Sequence, residues 1–295
     1  MYKIIAIDID GTLIDKCGNI QEKTAKAIKT ASAQGMIVTL STGRSYHSAL
    51  CFAKKLNIKA PLITANGSMI RDPQNGELKK CHRFSKNTVN KMLEILKNEK
   101  EVFIQGYHLD GIVSFGRNNL IELAKMLNGT NKFSFKNTIR MLKDYKESKV
   151  SIKKSLTIED GYDIHKFFVV GDKKSCKNIE GKLANLSCRI ESHFVGNYGY
   201  LEIIPEQASK GEGLIWLAEY YNVPLDKTIA IGDSANDISM FKKAGMAIAM
   251  ANGTNEAKQN ANHITFSNND NGVATAIKEF ALTKKKDFDI IKRTV

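Results

Sequence analysis

The sequence predicts an α/β fold with a parallel sheet, interrupted by an inserted α+β domain. Short apolar runs alternate with amphipathic segments at both ends of the chain, as in parallel strands that are covered on both faces. Between the two ends, hairpin-like strand pairs replace this alternation. The predicted organisation is a discontinuous core, residues 1–85 and 193–295, around a second domain at residues 86–192.

The first 80 residues supply the first half of the predicted parallel sheet. The run Ile4–Ile9 is apolar, which is typical of a buried strand. Residues 21–34 place apolar side chains at helical spacing, and Gly35 is typical of the residue that follows a helix. The other predicted elements are strands at Met36–Leu40 and Pro61–Thr64, a helix at 45–56 and a hairpin turn at 72–76.

The remaining elements follow from the same patterns. The α+β region is predicted to contain helices at 86–98 and 175–185, a hairpin at Val102–Tyr107 and Gly111–Phe115, a Lys-rich helical region, and strands at Phe167–Gly171 and Cys188–Phe194. The α/β pattern is predicted to resume at Tyr200, with strands at Leu201–Ile204, Thr228–Ile231, Ala247–Met250 and Ile264–Thr265, helices at 211–221, 236–244, 254–260 and 272–281, and a charged tail from Lys284.

Composition narrows the class of protein. The 295 residues are 42% hydrophobic and 25% charged, which is typical of a globular protein. No apolar run approaches the ~20 residues of a membrane span, and the N-terminus has no signal-peptide pattern. Five scattered cysteines form neither a disulfide framework nor a zinc motif. We therefore expect a cytoplasmic protein without a membrane partner.

The net charge of +13 admits several anionic partners. The charge is spread along the chain, and no nucleic-acid-binding motif accompanies it. A phosphorylated small molecule fits this dispersed charge better than a nucleic acid, although a Lys-rich solvated surface explains most of it. The sequence does not indicate an oligomeric state.

Two aspartates at the end of the first strand are the strongest sign of chemistry. Asp8 and Asp10 are separated by one residue, so on a strand their side chains share a face. Two carboxylates at ~4 Å repel by roughly 4 kcal/mol at an effective dielectric near 20. Two carboxylates so close together indicate a bound cation, a proton or a reaction between them. The alternative interpretation is a strand that ends in a polar Asp-Gly turn.

Polar groups also follow other predicted strands or begin the helices after them. Because ligands bind at the carboxyl ends of strands in an open α/β sheet, these groups can converge on one crevice. Carboxylates are ligands for Mg²⁺, while hydroxyl, amide and ammonium donors suit phosphate. Each short motif alone is also an ordinary turn, N-cap or solvated lysine. The additional candidates are Thr42, Gly43, Lys210, Asp233, Asn236 and Asp237.

These segments resemble the four motifs of the haloacid dehalogenase superfamily of phosphohydrolases. The insertion of about a hundred residues resembles the cap of its Cof-type, class IIB members. The matching segments are Asp8-Ile9-Asp10-Gly11-Thr12, Ser41-Thr42-Gly43-Arg44, Lys210-Gly211 and Gly232-Asp233-Ser234-Ala235-Asn236-Asp237.

The resemblance implies a Rossmann-like core, a mobile cap that sets substrate specificity, and Mg²⁺-dependent hydrolysis of small phosphate esters such as sugar phosphates. Asp8 would attack phosphorus and become an aspartyl phosphate. Asp10, starting protonated, would act as general acid and then as base. The resemblance assigns Mg²⁺ to Asp8, the Asp10 carbonyl and Asp233, with Asp237 beside it or ligating, and phosphate to the Ile9 amide, Thr42, Gly43, Lys210 and Asn236.

Two other functions remain open at this point. A phosphomutase of the phosphomannomutase type would pass the phosphoryl group from the aspartate to a sugar rather than to water. A non-catalytic sensor would bind a phosphorylated ligand without turnover. The intact set of Asp8, Asp10, Lys210 and Asp233 argues against the sensor. Tyr46 and Asn66, beside the core motifs, are further candidates for contact with the leaving group, with simple packing as the alternative.

Overall fold

The computed structural model describes residues 1–99, 102–115, 145–153 and 163–282. The chain divides into two compact units. The first comprises Met1–Gly43, Ala49–Lys79 and Ser209–Val295, and the second comprises Arg44–Ser48 and Lys80–Ala208. The predicted Lys-rich helical region and the charged tail lie outside the described residues.

A five-stranded sheet forms the centre of the first unit, and all its strands run parallel. Most residues of its apolar strands are buried because helices and loops cover them, but Ile264 in an edge strand is exposed. The strands, in spatial order, are β14 (His263–Thr265), β13 (Met246–Met250), β12 (Thr228–Gly232), β1 (Ile4–Ile7) and β2 (Ile37–Leu40). The parallel sheet predicted from the sequence is confirmed.

Four helices of the first unit begin and end within one residue of the predicted positions, whereas the helices predicted at 236–244 and 272–281 are α-helical only at Ile238–Phe241 and Gly272–Ala276. Gly35 follows the first helix with a φ of +84°, the left-handed conformation expected where a helix ends. A small sheet of β3 (Leu62–Thr64), β4 (Met69–Arg71) and β5 (Leu78–Cys81) follows the second helix, and β3 and β4 in it are antiparallel. The helices are α1 (Glu22–Ala33), α2 (Tyr46–Leu56), whose first three residues are assigned to the second unit, α5 (Lys210–Tyr220), α6 (Ile238–Phe241), α7 (Asn255–Gln259) and α8 (Gly272–Ala276).

The second unit contains a six-stranded sheet with two helices, α3 (Lys86–Lys97) and α4 (Lys173–Leu183). Apolar side chains of both helices and of the strands form one buried cluster, which includes Met92, Ile179 and Phe167. The strands, in spatial order, are β10 (Cys188–Val195), β11 (Tyr198–Pro205), β9 (Lys166–Asp172), β6 (Val102–His108), β7 (Gly111–Phe115) and β8 (Val150–Lys153). All neighbouring pairs are antiparallel except β7 and β8.

One strand lies in a different sheet from the one expected. The sequence pattern assigns Leu201–Ile204 to the α/β core, with the boundary at residue 193. The structure places these residues in β11, which pairs antiparallel with β10 and β9. The second unit therefore extends to Ala208. The physical reason is local: Asn197 and its neighbours close a hairpin, so β11 pairs with the strand immediately before it.

Within the described residues, no helix combines the length and the apolar character that a bilayer crossing requires.

Candidate active site

The first acidic residue stands where β1 leaves the sheet. The strand is fully buried, and the amide of Asp8 still pairs with the sheet by donating to the Ile231 carbonyl at 3.0 Å. The chain then makes a wide turn over Ile9–Leu13, in which the Leu13 amide donates to the Asp8 carbonyl at 3.2 Å. Asp8 is only 4% exposed, whereas Asp10 on the same turn is exposed.

Gly11 makes this turn possible. Its φ is +79°, which L side chains rarely adopt. A Cβ at this position would lie 2.4 Å from Oδ2 of Asp233, a distance that van der Waals contact forbids. The missing side chain lets the turn after β1 approach the acidic loop that follows β12.

Lys210 is the cation at the centre of the site. Ser209 caps α5 by accepting from the Glu212 amide at 3.0 Å, so Lys210 starts the first turn of that helix. The lysine is 1% exposed. Its ammonium donates to Oδ1 of Asp8 at 2.7 Å, to Oδ1 of Asp237 at 2.6 Å and to Oδ1 of Asn236 at 3.3 Å.

The loop after β12 is folded around the Asp237 carboxylate. Oδ2 of Asp237 accepts from the amides of Asp233 and Ser234 at 2.8 and 3.0 Å. Gly232 leaves the space for this, since a Cβ there would lie 2.3 Å from Cγ of Asp237. The Ser234 hydroxyl donates to Oδ1 of Asn236 at 2.8 Å. Both oxygens of Asp237 are thus hydrogen-bonded within the protein.

Three carboxylates meet at this edge of the sheet. One oxygen each from Asp8, Asp233 and Asp237 lies within 4.8 Å of the other two. Thr12 orients the second of these by donating to Oδ1 of Asp233 at 2.8 Å. Together with Lys210 the group contains three carboxylates and one ammonium, and its oxygen donors fit a divalent cation such as Mg²⁺.

The electrostatics of the apoprotein favour the same interpretation. Burial raises the pKa of Asp8 well above its ordinary value, although Lys210 opposes this, and Asp237 and Asp233 add to it. Burial, together with the charge of Asp237, raises the pKa of Asp233 to about 7. Burial would lower the pKa of Lys210, but Asp237 and Asp8 outweigh it and hold that pKa above its ordinary value. A buried carboxylate is stabilised by a nearby cation, so a metal ion would lower both acidic pKa values.

The other predicted site residues lie at the same edge. Thr42 follows β2, the strand paired with β1, and is 1% exposed. Its amide donates to the Ile63 carbonyl at 2.9 Å and is therefore engaged within the protein. Gly43 comes next and is partly exposed. Ile9 is buried directly after Asp8.

Sequence reasoning gave no role to two residues that organise this site. Thr12 holds Asp233, and Ser234 holds Asn236. Thr12 stood in the first motif, but its partner is 221 positions away along the chain. Ser234 had a local signal that could have found it, because a serine before a helical turn with Asp three residues later is typical of a capping box.

Comparison with known proteins places this arrangement in a family. The family model of haloacid dehalogenase-like hydrolases matches residues 5–277. The chain is 30% identical over 285 residues to the 5-amino-6-(5-phospho-D-ribitylamino)uracil phosphatase YwtE of Bacillus subtilis strain 168, covering 94% of this chain and 97% of that protein. It is 26% identical over 280 residues to YitU, a phosphatase of the same name from the same strain, covering 94% of this chain and 97% of that protein.

A solved structure is similar over nearly the same length. A haloacid dehalogenase-like hydrolase from B. subtilis superposes with a TM-score of 0.80 at 26% identity, covering 94% of this chain and 99% of the other. The resemblance inferred from the four sequence motifs is therefore confirmed. The chain belongs to the haloacid dehalogenase-like hydrolase family, as a phosphoric monoester hydrolase.

Proposed function

We propose that this phosphoric monoester hydrolase depends on Mg²⁺ and cleaves small phosphate esters through a phosphorylated Asp8. The observation that carries the proposal is the group of buried Asp8, half-buried Asp233 and buried Asp237 around Lys210. Burial raises the pKa values of Asp8 and Asp233 in the apoprotein, and a bound cation would lower both by stabilising the carboxylates.

The carboxylate of Asp8 is the nucleophile. One of its oxygens attacks phosphorus while the bond from phosphorus to the leaving oxygen breaks, and Asp10 gives its proton to that oxygen. In the second half, Asp10 takes a proton from water, the resulting hydroxide attacks phosphorus, and the bond to Asp8 breaks. Inorganic phosphate leaves, and Asp10 is again protonated.

Mg²⁺ would be held by Asp8, Asp233 and the main-chain carbonyl of Asp10, and it would neutralise charge on the phosphoryl oxygens. We assign Asp237 to the support of this site rather than to the metal, because its two oxygens already accept from Lys210 and from two amides. Asp237 therefore keeps the lysine and the Asp233 loop in place.

The phosphate would be bound by donors at the carboxyl ends of β1 and β2 and by Lys210. The Lys210 ammonium already contacts Asp8, so it can also neutralise a phosphoryl group on that side chain. The full set assigned to phosphate is the Ile9 amide, the Thr42 hydroxyl, Gly43, Lys210 and Asn236.

Small sugar or polyol phosphates are the proposed substrates. The names of YwtE and YitU describe a phosphorylated ribityl compound, which supports a polyol phosphate for this chain as well. All residues assigned to chemistry and phosphate binding belong to the first compact unit. We therefore assign the choice among leaving groups to the second unit, within residues 86–192.

A panel of phosphorylated metabolites with phosphate detection tests this proposal. We expect turnover with Mg²⁺, loss of turnover in EDTA, recovery on addition of Mg²⁺, and no turnover by Asp8→Asn with its fold intact. Wild-type rates in Asp8→Asn would contradict the role of Asp8. Binding of a metabolite without any turnover would instead support a sensor. Conversion of a sugar phosphate into its isomer that requires a sugar bisphosphate and releases no phosphate would support a mutase.

A further inference from the structure

The loop after β13, Ala251–Thr254, contacts the turn that carries Asp10. The side-chain amide of Asn252 donates from Nδ2 to the Gly11 carbonyl at 2.8 Å. Its Oδ1 accepts from the Asn268 amide at 2.8 Å. Both ends of this exposed side chain are therefore engaged, and they join two segments that lie 241 and 16 positions away from Asn252.

The same loop also holds the second acidic segment. The Thr254 amide donates to the Asp233 carbonyl at 2.8 Å. Gly253 is packed so closely there that a Cβ would lie 2.7 Å from that carbonyl oxygen. One short loop thus fixes the main chain of the turn after β1 through Asn252 and the main chain of Asp233 through Thr254.

A second contact reinforces the first. Asn268, which donates its amide to Asn252, also donates from its side chain to the Ile14 carbonyl at 2.8 Å. The turn over Ile9–Leu13 is therefore held at Gly11 and just beyond its end. Asp10 precedes Gly11 directly and is exposed, so packing alone fixes it less firmly than buried Asp8.

We propose that Asn252 is a positioning residue that holds the Asp10 turn in the geometry needed to protonate the leaving oxygen. This inference rests on the proposed acid role of Asp10. Without the hydrogen bond from Asn252 to the Gly11 carbonyl, the main chain at Gly11 would be able to rotate. That rotation would displace the carboxyl group of the preceding residue, Asp10. Asp8 would be affected less, because it is buried and hydrogen-bonded by Lys210.

Two phosphate esters distinguish an effect on the position of the acid from a general loss of structure. p-Nitrophenolate leaves readily without a proton, whereas the alkoxide of glycerol phosphate needs one. We expect Asn252→Ala to lower kcat/KM for glycerol phosphate by about tenfold, the equivalent of about one hydrogen bond, and to leave p-nitrophenyl phosphate nearly unchanged. The ratio kcat/KM is the suitable quantity because it reports the steps up to departure of the leaving group.

Asn260→Ala is the matched control. Asn260 is also an exposed asparagine whose amide donates to a carbonyl, that of Glu256 at 2.9 Å, but it does not bond the Asp10 turn. We expect it to leave both esters unchanged and to shift the thermal midpoint about as much as Asn252→Ala. Asn252→Asp, which keeps an acceptor for Asn268 and loses the donor to Gly11, should repeat the alanine result.

Asp10→Asn distinguishes the acid role of Asp10 from the positioning role of Asn252. We expect it to lower kcat/KM strongly for glycerol phosphate and weakly for p-nitrophenyl phosphate. Equal losses on both esters in Asp10→Asn would overturn the acid role itself. The positioning role of Asn252 alone would be overturned by a different result. In that case Asp10→Asn would lose kcat/KM selectively for glycerol phosphate, while both Asn252 variants would lose kcat/KM equally for the two esters or not at all.

Discussion

The main-chain amide of Asp233 donates to Oδ2 of Asp237 at 2.8 Å, four residues further along the chain. The other oxygen of Asp237 accepts from the buried ammonium of Lys210 at 2.6 Å. Asp237 therefore couples the loop that carries Asp233 to the lysine that contacts Asp8. This coupling explains how one fully buried carboxylate serves the site without facing solvent.

Asp237→Asn tests this coupling. The side-chain amide has one acceptor oxygen, which can accept either from Lys210 or from the Asp233 and Ser234 amides, but not from both. A buried donor is therefore left unsatisfied, which costs about 1–3 kcal/mol. Relief of repulsion with Asp8 and Asp233 offsets part of that, so we expect a net loss of about 2 kcal/mol. Denaturant unfolding of the metal-free protein measures it.

Asp226→Asn provides the control for that substitution. Asp226 pairs with Lys227 at 2.8 Å, but its side chain is 67% exposed. Surface pairs contribute about 0–1 kcal/mol, so this variant should unfold almost like the wild type. Equal losses in the two variants would show that Asp237 has no special structural role.

The raised pKa of Asp233 predicts opposite pH dependences with and without metal. In the metal-free protein this pKa is about 7, against 3.8 as the ordinary value. Between those values the folded state binds more protons than the unfolded state, so this group's contribution to stability falls as pH rises through the window. Bound Mg²⁺ requires the carboxylate, so the apparent Mg²⁺ affinity should fall as pH drops below about 7.

Thermal midpoints between pH 4 and 8, with and without Mg²⁺, measure both trends. Asp233→Asn, compared with the wild type, isolates the contribution of this one group. We expect the difference in thermal midpoint between the metal-free wild type and the metal-free variant to change across this pH range. We also expect the rise in thermal midpoint caused by Mg²⁺ to vanish in the variant. A constant difference would contradict the raised pKa.

Much of the fold was readable from the sequence because it depends on local patterns. Apolar runs and helical periodicity gave α1 and β1 within one or two residues of their observed bounds. The sheet to which β11 belongs was not readable, because an apolar run fits a core strand and a hairpin strand equally well. Pairing with β9 and β10 decides it, and that pairing is a tertiary property.

The candidate site likewise has features that the sequence predicts and features that it does not. Acidic and basic residues at strand ends were readable, since parallel strands bring their carboxyl ends to one edge. The contacts from Thr12 to Asp233 and from Asn252 to Gly11 join positions more than two hundred residues apart, so no local spacing indicates them. Asn252 follows β13, and a polar residue at one more strand end was its only sequence signal.

His165 predicts an acid sensitivity in the second unit. It is 2% exposed, its Nδ1 has no hydrogen-bond partner among the described residues, and burial lowers its pKa to about 3. Between about 3 and the ordinary value of 6.5 the unfolded state binds the extra proton, so stability falls as pH falls through that window.

Replacement of this histidine should remove that part of the pH dependence. We expect His165→Leu to lose less stability than the wild type between pH 6.5 and pH 4. His193→Leu, a change at an exposed histidine, should keep the wild-type slope. Parallel curves for His165→Leu and wild type in acid denaturation would contradict a buried neutral imidazole.

Gly11→Ala and Gly35→Ala separate backbone strain from damage to the acidic site. Both glycines have left-handed φ values, +79° and +84°, so alanine costs about 1 kcal/mol at either position. At Gly11 the new Cβ would also lie 2.4 Å from Oδ2 of Asp233, whereas at Gly35 it meets nothing within 4 Å. We expect Gly11→Ala to lower the thermal midpoint more than Gly35→Ala does, and only Gly11→Ala to lose activity, because the Asp233 carboxylate or the turn over Ile9–Leu13 must move.

The size of that loss follows from how strictly catalysis depends on position. A displacement of 1 Å can reduce turnover by about a hundredfold, so we expect a change of that order in kcat for Gly11→Ala. A higher Mg²⁺ concentration for half-maximal activity should accompany it, because Asp233 is the assigned ligand. Full activity in Gly11→Ala would show that the turn and the carboxylate tolerate the clash, and the close approach of Gly11 to Asp233 would then have no part in metal binding.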